Sequence, residues 1–324
     1  MKLVISIDVE EEGLFSGGYP QRPEVRNLSH LEHLGFVSDE FGLPLTLLTA
    51  YSPAIDPACR DILKRWRDER GAEIGAHLHH WSTPPFKAQP WPEPVRTDRM
   101  DPELMRAKFE TLMTTLENGF GQKIRSFRMG RWDFGRNMRS LLPEFGIETD
   151  SSIAPLRHAI GGPVNFLSPY DPHRLEIDGY DGPPVLEVPL TQVPVLKFLP
   201  RAAMALFERL PREAGENFLS GFSQFFALGI QPVWHPSLTM RMAARLHRGR
   251  GGQVLCMFLH SSELMPGQSP HFPDQAAVDR LCAKIRSFLA WLCEKYEVKG
   301  ATLADLARDH DFAETGPLRI GPEK

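Results

Sequence analysis

Two acidic side chains at the end of the first apolar run are candidates for catalysis or cation binding. The run Leu-Val-Ile-Ser-Ile ends in Asp8, and Glu10 follows two residues later. Residues two apart on an extended strand face the same side, so one carboxylate could act as a base while the other binds a cation. The alternative interpretation is a solvated acidic loop, because Glu11 and Glu12 come next.

A histidine cluster follows a later apolar run. His77, His79 and His80 lie within four residues, and His77 and His79 share a face if the strand continues. His80 points elsewhere on that geometry unless a turn reorients it. Two imidazoles and one carboxylate form a ligand set typical of hydrolytic zinc, or of iron, manganese or cobalt. The cluster predicts a divalent metal site with zinc as the first choice; the alternative is a set of hydrogen-bonded structural histidines.

An arginine and a further histidine end two other apolar runs. Arg128 stays charged and can donate two hydrogen bonds to one carboxylate, so beside Asp8 it would keep that acid ionised and oriented. An ordinary salt bridge is the alternative. His260 can donate a proton to a leaving amine. Glu263 can fix the tautomer of His260 or bind substrate, unless it is only a carboxylate at a helix start.

All these residues lie where predicted strands end. Short apolar runs alternate with helical patterns, such as the three- and four-residue spacings of 105–116 and 281–292. The alternation predicts βαβ units and a mainly parallel sheet. The fold class is therefore α/β, a (β/α)7-type barrel that is distorted or incompletely closed, with its chemistry at the carboxyl ends of the strands. The predicted strands cover residues 2–8, 45–50, 73–77, 124–128, 147–150, 185–188, 254–259 and 298–302.

Two stretches interrupt the alternation. Residues 82–101 contain five prolines and predict a long ordered loop over the rim, and residues 190–238 predict a mostly helical insertion rich in aromatic residues. We expect a single barrel domain over 1–316, followed by a surface tail at 317–324.

Composition excludes several classes of protein. A net charge of −4 argues against nucleic-acid binding by bulk electrostatics. No apolar run approaches the roughly 18 residues of a membrane span, and the acidic start is unlike a secretory signal. The four cysteines have no zinc-ribbon spacing. We therefore expect a cytoplasmic protein with reduced cysteines.

The order of these motifs resembles that of the NodB-like polysaccharide deacetylases, a carbohydrate esterase family with a (β/α)7 barrel. The resemblance covers roughly residues 1–310, and the His-Leu-His-x-Trp and His-Ser-Ser-Glu-Leu segments are similar to a divergent WalW-like subgroup. The matching segments are Ser-Ile-Asp-Val-Glu at 6–10, Glu-Ile-Gly-Ala-His-Leu-His at 73–79, Phe-Arg-Met-Gly at 127–130, Asp-Ser-Ser at 150–152, Leu-Glu-Val-Pro at 186–189 and Phe-Leu-His at 258–260.

The resemblance implies metal-dependent hydrolysis of an N-acetyl or similar N-acyl amide on a sugar. It implies that Asp8 is the general base, that Arg128 orients Asp8, and that His260 protonates the departing amine.

The resemblance also implies a ligand set for the metal. The family's second adjacent aspartate is absent here, so Glu10 would supply the carboxylate. The usual histidines are four apart, but position 81 is a tryptophan. His77 and His79 are therefore the expected imidazole ligands, with His80 as the substitute.

The expected substrate is an acetylated sugar linked to a nucleotide or a lipid. We expect Arg131, Trp81, Trp132 and Glu263 to contact it. Two other hypotheses stay open at this point: a metal-independent amide hydrolase on the same barrel, and a catalytically inactive homologue that binds carbohydrate.

Overall fold

A curled, mainly parallel β-sheet forms the centre of the computed structural model, which describes residues 1–16, 19–20, 22–91, 95–158 and 165–308. Within these residues the sheet has nine strands in the order β10-β1-β2-β3-β4-β5-β7-β6, with β11 paired to β1. Its strands are β1 (Lys2–Val9), β2 (Leu45–Thr49), β3 (Glu73–Leu78), β4 (Ser126–Met129), β5 (Thr149–Asp150), β6 (His173–Arg174), β7 (Leu186–Glu187), β10 (Val254–His260) and β11 (Lys299–Gly300). The open path of strands confirms the prediction of an incompletely closed (β/α)7-type barrel.

Helices connect and cover the strands. They are α1 (Gly35–Asp39), α2 (Tyr51–Ile55), α3 (Pro57–Arg70), α4 (Pro102–Phe120), α5 (Arg136–Glu144), α6 (Leu199–Phe207), α7 (Arg212–Phe226), α8 (Ser237–Gly249), α9 (Gln275–Lys295) and α10 (Leu303–Arg308). Sequence signals fix their ends, as in α3, where the Asp56 side chain caps the first turn and Gly71 ends the helix at φ 66°.

The predicted strands are all present, with shifts of one or two residues at most of their ends. The last one is shorter than expected, because only Lys299–Gly300 pairs with β1. Sequence reasoning missed β6, a two-residue antiparallel strand at the sheet edge. It also missed β8 (Gln192–Pro194) and β9 (Ala227–Gly229), which form a separate two-stranded sheet. These strands are too short to show a period-two pattern.

The two interruptions differ in character. The stretch 190–238 contains α6 and α7 between β8 and β9, so it combines helices with a small sheet. In the described part of the stretch 82–101, the only regular structure is a single 3-10 turn, Thr97–Arg99. Thr97 anchors this turn by donating its backbone N–H and its hydroxyl to Asp133. The predicted tail 317–324 lies outside the described residues.

Strand β1 separates two layers of the core because its side chains alternate between the faces of the sheet. Leu3, Ile5 and Ile7 pack in the main cluster of buried apolar residues. Val4 packs in a second cluster, which includes side chains of β2 and β10. Ser6 and Asp8 have the same parity as Val4, and both are buried. The concave face of the sheet therefore changes from apolar to polar towards the carboxyl end of β1.

The sheet register brings chemistry-bearing residues together. Asp8 on β1 pairs with His260 on β10, and His77 on β3 pairs with Arg128 on β4. Each residue is at or near the carboxyl end of its parallel strand, where such barrels carry their active sites. Among the described residues, no helix has both the length and the apolar character needed to cross a bilayer.

Candidate active site

A buried ion pair between Arg128 and Asp8 lies at the centre of the cluster. The Arg128 guanidinium is inaccessible to solvent, and its Nη1 donates to Asp8 Oδ1 at 2.6 Å. Nη2 donates to the hydroxyls of Ser6 and Ser151 at 2.8 and 2.9 Å, and Nε donates to the Ser151 carbonyl at 2.8 Å. These contacts fix the guanidinium from three sides, so Asp8 is held in one orientation.

The second oxygen of Asp8 faces two imidazoles. Asp8 Oδ2 lies 3.9 Å from His77 Nε2 and 4.0 Å from His260 Nε2. Burial alone would raise the pKa of Asp8, but Arg128, His77 and His260 together hold that pKa below its usual value. Asp8 is therefore a carboxylate with one oxygen bonded to arginine and the other directed towards the histidines.

Glu10, His77 and His79 form a group that could hold a metal ion. One ligand atom from each lies within 4.8 Å of the other two, and all three residues are buried. Glu10 Oε2 is 3.8 Å from His77 Nε2 and 3.4 Å from His79 Nε2. No lysine or arginine of the described chain pairs with Glu10, and burial raises the pKa of its carboxyl to about 7. A cation at this position would compensate the buried charge.

The two histidines are oriented as ligands would be. His77 Nδ1 lies 3.0 Å from the Arg128 carbonyl, and His79 Nδ1 lies 3.1 Å from Glu11 Oε1. Since each Nδ1–H then donates to an oxygen, each Nε2 lone pair is directed towards Glu10. Burial also lowers the pKa of His77 to about 3, which favours the neutral imidazole. The donor set of two imidazole nitrogens and one carboxylate fits a divalent cation such as zinc.

Gly130 is required by the position of His79. A Cβ at Gly130 would lie 2.6 Å from His79 Cδ2 and 2.7 Å from the Leu78 carbonyl oxygen. Glycine therefore lets the imidazole pack directly on the backbone. The next two residues, Arg131 and Trp132, both have positive φ, 60° and 59°. Such conformations cost non-glycine residues on the order of 1–3 kcal/mol each and concentrate at functional sites.

His260 approaches Asp8 from the neighbouring strand. Its side chain retains 18% exposure, whereas those of Asp8 and His77 retain 2%. Its Nδ1 lies 3.3 Å from Glu263 Oε1, and its backbone N–H donates to Glu263 Oε2 at 2.9 Å. Burial would lower the pKa of His260, but Glu10, Glu263 and Asp8 raise it to about 10. These carboxylates therefore favour the protonated imidazole of His260, which lies at the accessible side of the cluster.

A small polar network holds Glu10. Ser262 donates its hydroxyl to Glu10 Oε1 at 3.3 Å, and the Glu10 backbone N–H donates to Ser261 Oγ at 3.1 Å. The Asn27 amide donates to both Ser261 Oγ and the Glu10 carbonyl. The two serines directly follow His260, so a single turn after β10 positions both His260 and Glu10.

The structure separates His80 from the other two histidines. Its ring lies edge-on to Trp81, with centroids 5.1 Å apart, and it lines a cavity of about 560 Å³ together with Phe86 and other residues of the long loop. Burial lowers the pKa of His80 to about 3. Of the two histidines left open by the sequence, His79 alone joins Glu10 and His77 within the described chain.

The residues predicted to contact substrate surround the cluster in different ways. The Trp81 ring stacks between His79 and Tyr19, at centroid distances of 4.3 and 4.5 Å. Arg131 donates to the Tyr19 hydroxyl, and its guanidinium lies 5.5 Å from the centre of the Trp81 ring. These three residues form one stacked unit beside His79.

Trp132 and Glu263 lie on the other side of the cluster. Trp132 covers the Arg128 guanidinium at 5.0 Å. Glu263 is 2% exposed and its carboxylate contacts His260. Glu263 thus contacts the His260 ring, and it also accepts from the His260 backbone N–H at the start of a 3-10 turn, so its observed contacts include both His260 and the helix-start position.

Sequence reasoning missed the roles of Glu11 and Tyr19. Glu11 is fully buried, and its Oε1 accepts from both His79 Nδ1 and Trp81 Nε1, each at 3.1 Å. Burial would raise the pKa of Glu11, but His79 lowers it to about 2. In the sequence, Glu11 and Glu12 were the reason for the alternative of a solvated acidic loop, and only the packing of residues that follow β3 shows that Glu11 is buried. No pattern in the sequence predicts that Tyr19 contacts Trp81 and Arg131.

Solved structures of proteins assigned to the polysaccharide deacetylases share this open barrel over nearly the whole length of the chain. A Mycobacterium smegmatis protein assigned to the polysaccharide deacetylases is 17% identical, with a TM-score of 0.60 over 100% of this chain and 94% of that one. A Pseudomonas aeruginosa PAO1 protein with the same assignment is 16% identical, with a TM-score of 0.54 over 95% and 90%.

The similarity extends to a second kind of hydrolase. Puue allantoinase is 14% identical, with a TM-score of 0.53 over 98% of this chain and 92% of that chain. At these identities the likeness concerns the fold. No family model matches the sequence, and no curated protein matches it significantly.

Proposed function

We propose that the protein is a metal-dependent hydrolase that removes an N-acetyl or similar N-acyl group from a sugar. The observation that carries the proposal is a chain of close contacts at the strand ends: Asp8 lies within about 4 Å of both His77 and His260, and Glu10 lies within about 4 Å of both His77 and His79. The fold shared with polysaccharide deacetylases supports the same class of reaction.

Each residue has a role that follows from its surroundings. Asp8 Oδ2 is the base: it accepts a proton from the water that attacks the amide carbonyl carbon, since Oδ1 is already bonded to Arg128. His260 Nε2 is the acid: it gives its proton to the nitrogen of the breaking C–N bond, so that the products are a carboxylate and a free amine. Glu263 stabilises the charged form of His260 through the 3.3 Å contact at Nδ1.

Glu10, His77 and His79 would hold the metal, zinc being the first choice. When bound, a divalent cation supplies Lewis-acid polarisation of the amide carbonyl and makes water a better nucleophile. Glu11 would orient His79 through its Nδ1.

The substrate would enter on the side of His260, because the His260 side chain is 18% exposed whereas that of Asp8 is 2% exposed. We propose an acetylated sugar linked to a nucleotide or a lipid as the substrate, with Trp81, Arg131 and Trp132 at the rim. The protein would act in the cytoplasm, since all four cysteines lie in the described chain without disulfide bonds.

The test is release of acetate from N-acetylated sugars by the zinc-loaded protein. Asp8→Asn and His260→Ala should each lower kcat, by about 10²–10⁴-fold for loss of the proton donor. Chelation should abolish release, and added zinc should restore it. Elemental analysis of the purified protein should find close to one metal ion per chain.

Matched controls separate catalysis from general damage. Asp279→Asn changes an acid in α9, and His271→Ala changes an exposed histidine, both away from the cluster. Both variants should keep full activity. The proposal is wrong if acetate release persists unchanged in Asp8→Asn and His260→Ala.

A further inference from the structure

Arg157 lies in the loop that follows β5. Its guanidinium lies 3.5 Å from the centre of the Trp234 ring. Within the described chain, it makes no ion pair, and its side chain donates no hydrogen bond. Arg157 is only partly exposed, so protein atoms replace much of the water around its charge.

The electrostatics of this position are unfavourable without a ligand. Burial lowers the pKa of Arg157 to about 10, and no carboxylate opposes that shift. A charge that is partly removed from water without an ion-pair partner is unfavourable. By contrast, Arg128 at the same rim is paired with Asp8. An anion from outside the chain would compensate Arg157, because a guanidinium binds carboxylate and phosphate oxygens in a two-pronged geometry.

A row of aromatic rings connects Arg157 to the proposed acid. The Trp234 ring lies 4.8 Å from that of Phe258, and Phe258 lies 5.1 Å from the ring of His260. Gln231 ties Trp234 to β10: its side chain accepts from the Phe258 backbone N–H at 2.8 Å, and its carbonyl accepts from the Trp234 N–H at 3.1 Å. Arg157 therefore stacks on a tryptophan that is linked through Phe258 to the strand that carries His260.

The charge around Arg157 is positive. Lys284 Nζ donates to the carbonyls of Pro232 and His235, next to Trp234. Burial, Arg157 and Lys284 together lower the pKa of His235 to about 4. Among the described residues, the charged groups that shift the pKa of His235 are thus two cations.

We propose that Arg157, stacked on Trp234, binds an anionic phosphate or carboxylate group carried by the sugar substrate. This inference rests on the proposed function for the identity of the substrate, and it narrows the substrate class to charged sugars. Arg157 then determines specificity, while Asp8 and His260 carry out the hydrolysis.

Calorimetric binding of deacylated sugars to the zinc-loaded protein tests the inference without turnover. The three test sugars are glucosamine, glucosamine 1-phosphate and 2-amino-2-deoxyglucuronic acid. All three carry the same amine, and they carry no anionic group, a phosphate and a carboxylate, respectively. The wild-type protein should bind at least one anionic sugar more tightly than glucosamine. Arg157→Met should weaken that binding by tenfold or more and leave glucosamine within twofold; Arg157→Lys should be intermediate.

The control is Arg245→Met, which removes another arginine stacked on a tryptophan, 5.1 Å from the Trp291 ring on the outer helices. It should leave all three affinities unchanged. A loss for the phosphate alone or the carboxylate alone identifies the anion. The inference is overturned if wild-type protein binds all three sugars equally, or if Arg157→Met keeps the wild-type preference.

Acetate release gives an independent readout. On acetylated anionic sugars, Arg157→Met should raise KM with little change in kcat, since the arginine is away from the bond that breaks. If no sugar is deacetylated while Arg157 still selects anionic sugars, the hydrolase proposal fails and the anion site stands. If anionic sugars are deacetylated equally well by the wild-type protein and by Arg157→Met, the hydrolase proposal stands and the anion-site inference fails.

Discussion

Breaking the buried pair between Arg128 and Asp8 is the most informative perturbation of the site. Asp8 is 2% exposed, and Arg128→Met removes the guanidinium that donates to it, as well as the donor to the Ser6 and Ser151 hydroxyls. Removing one partner of a buried ion pair costs about 3–5 kcal/mol, because the other charge is left uncompensated. Asp8→Asn should cost a similar amount, since it leaves the guanidinium unpaired.

The double variant Asp8→Asn/Arg128→Met removes both charges. Its free energy of unfolding should therefore exceed the value expected from adding the two single losses, with a coupling of roughly 2–3 kcal/mol. The assay is urea unfolding of metal-free protein followed by circular dichroism, so that metal binding does not contribute to stability.

A surface pair supplies the comparison. Arg286 donates to both oxygens of Glu40 at 3.0 and 3.1 Å, but both side chains are about half exposed. The cycle of Arg286→Met and Glu40→Gln should give a coupling of about 0.2–1 kcal/mol. If the coupling between Arg128 and Asp8 is no larger than this, burial does not strengthen the pair as reasoned here.

Two further predictions concern buried carboxyl groups. Glu11→Gln removes the carboxylate bonded to His79 and should weaken zinc binding about 10–100-fold in a competition titration with a chromophoric chelator. Glu32→Gln, whose exposed carboxylate pairs with Arg70, should change zinc binding little, and an equal loss in both variants would contradict a specific role for Glu11. Burial and the neighbouring Asp150 raise the pKa of Glu187 well above its usual value, so its ionisation destabilises the fold increasingly as the pH rises above roughly 4. Glu187→Gln should therefore be more stable than wild type in urea at pH 8, by about 1.4 kcal/mol for each unit of raised pKa, with a smaller difference at pH 5; a variant less stable than wild type at pH 8 would refute this.

The barrel and the reactive residues at its rim could be predicted from the pattern of apolar residues along the sequence. Runs such as 3–7 and 254–259 are apolar at nearly every position, which is typical of strands covered on both faces. Parallel strands joined by helices must direct their carboxyl ends to one edge. The order of strands was thus enough to place Asp8, His77, Arg128 and His260 at a common rim, although it did not give the contacts among them.

Short elements and partners remote in sequence were not predictable. Strands of two or three residues, such as His173–Arg174 and Ala227–Gly229, contain too few residues for a periodic signal. The acids at 10–12 were ambiguous because burial depends on what packs over them. Asn27 and Ser261, which hold Glu10, are 234 residues apart, and no local pattern links them.

The sequence by itself determined which reactive side chains the protein contains and which end of the barrel carries them. This is because the alternation of strands and helices, and hence the direction of the strands, can be inferred from the pattern of apolar residues along the chain. The tertiary structure decided how those groups are paired: that Arg128 binds Asp8, that Glu11 binds His79, that His80 turns away, and that Arg157 stacks on Trp234 with no ion-pair partner among the described residues. Pairing depends on side-chain directions at distances of 3–4 Å. These are set by packing between segments far apart in the chain, which short-range patterns do not encode.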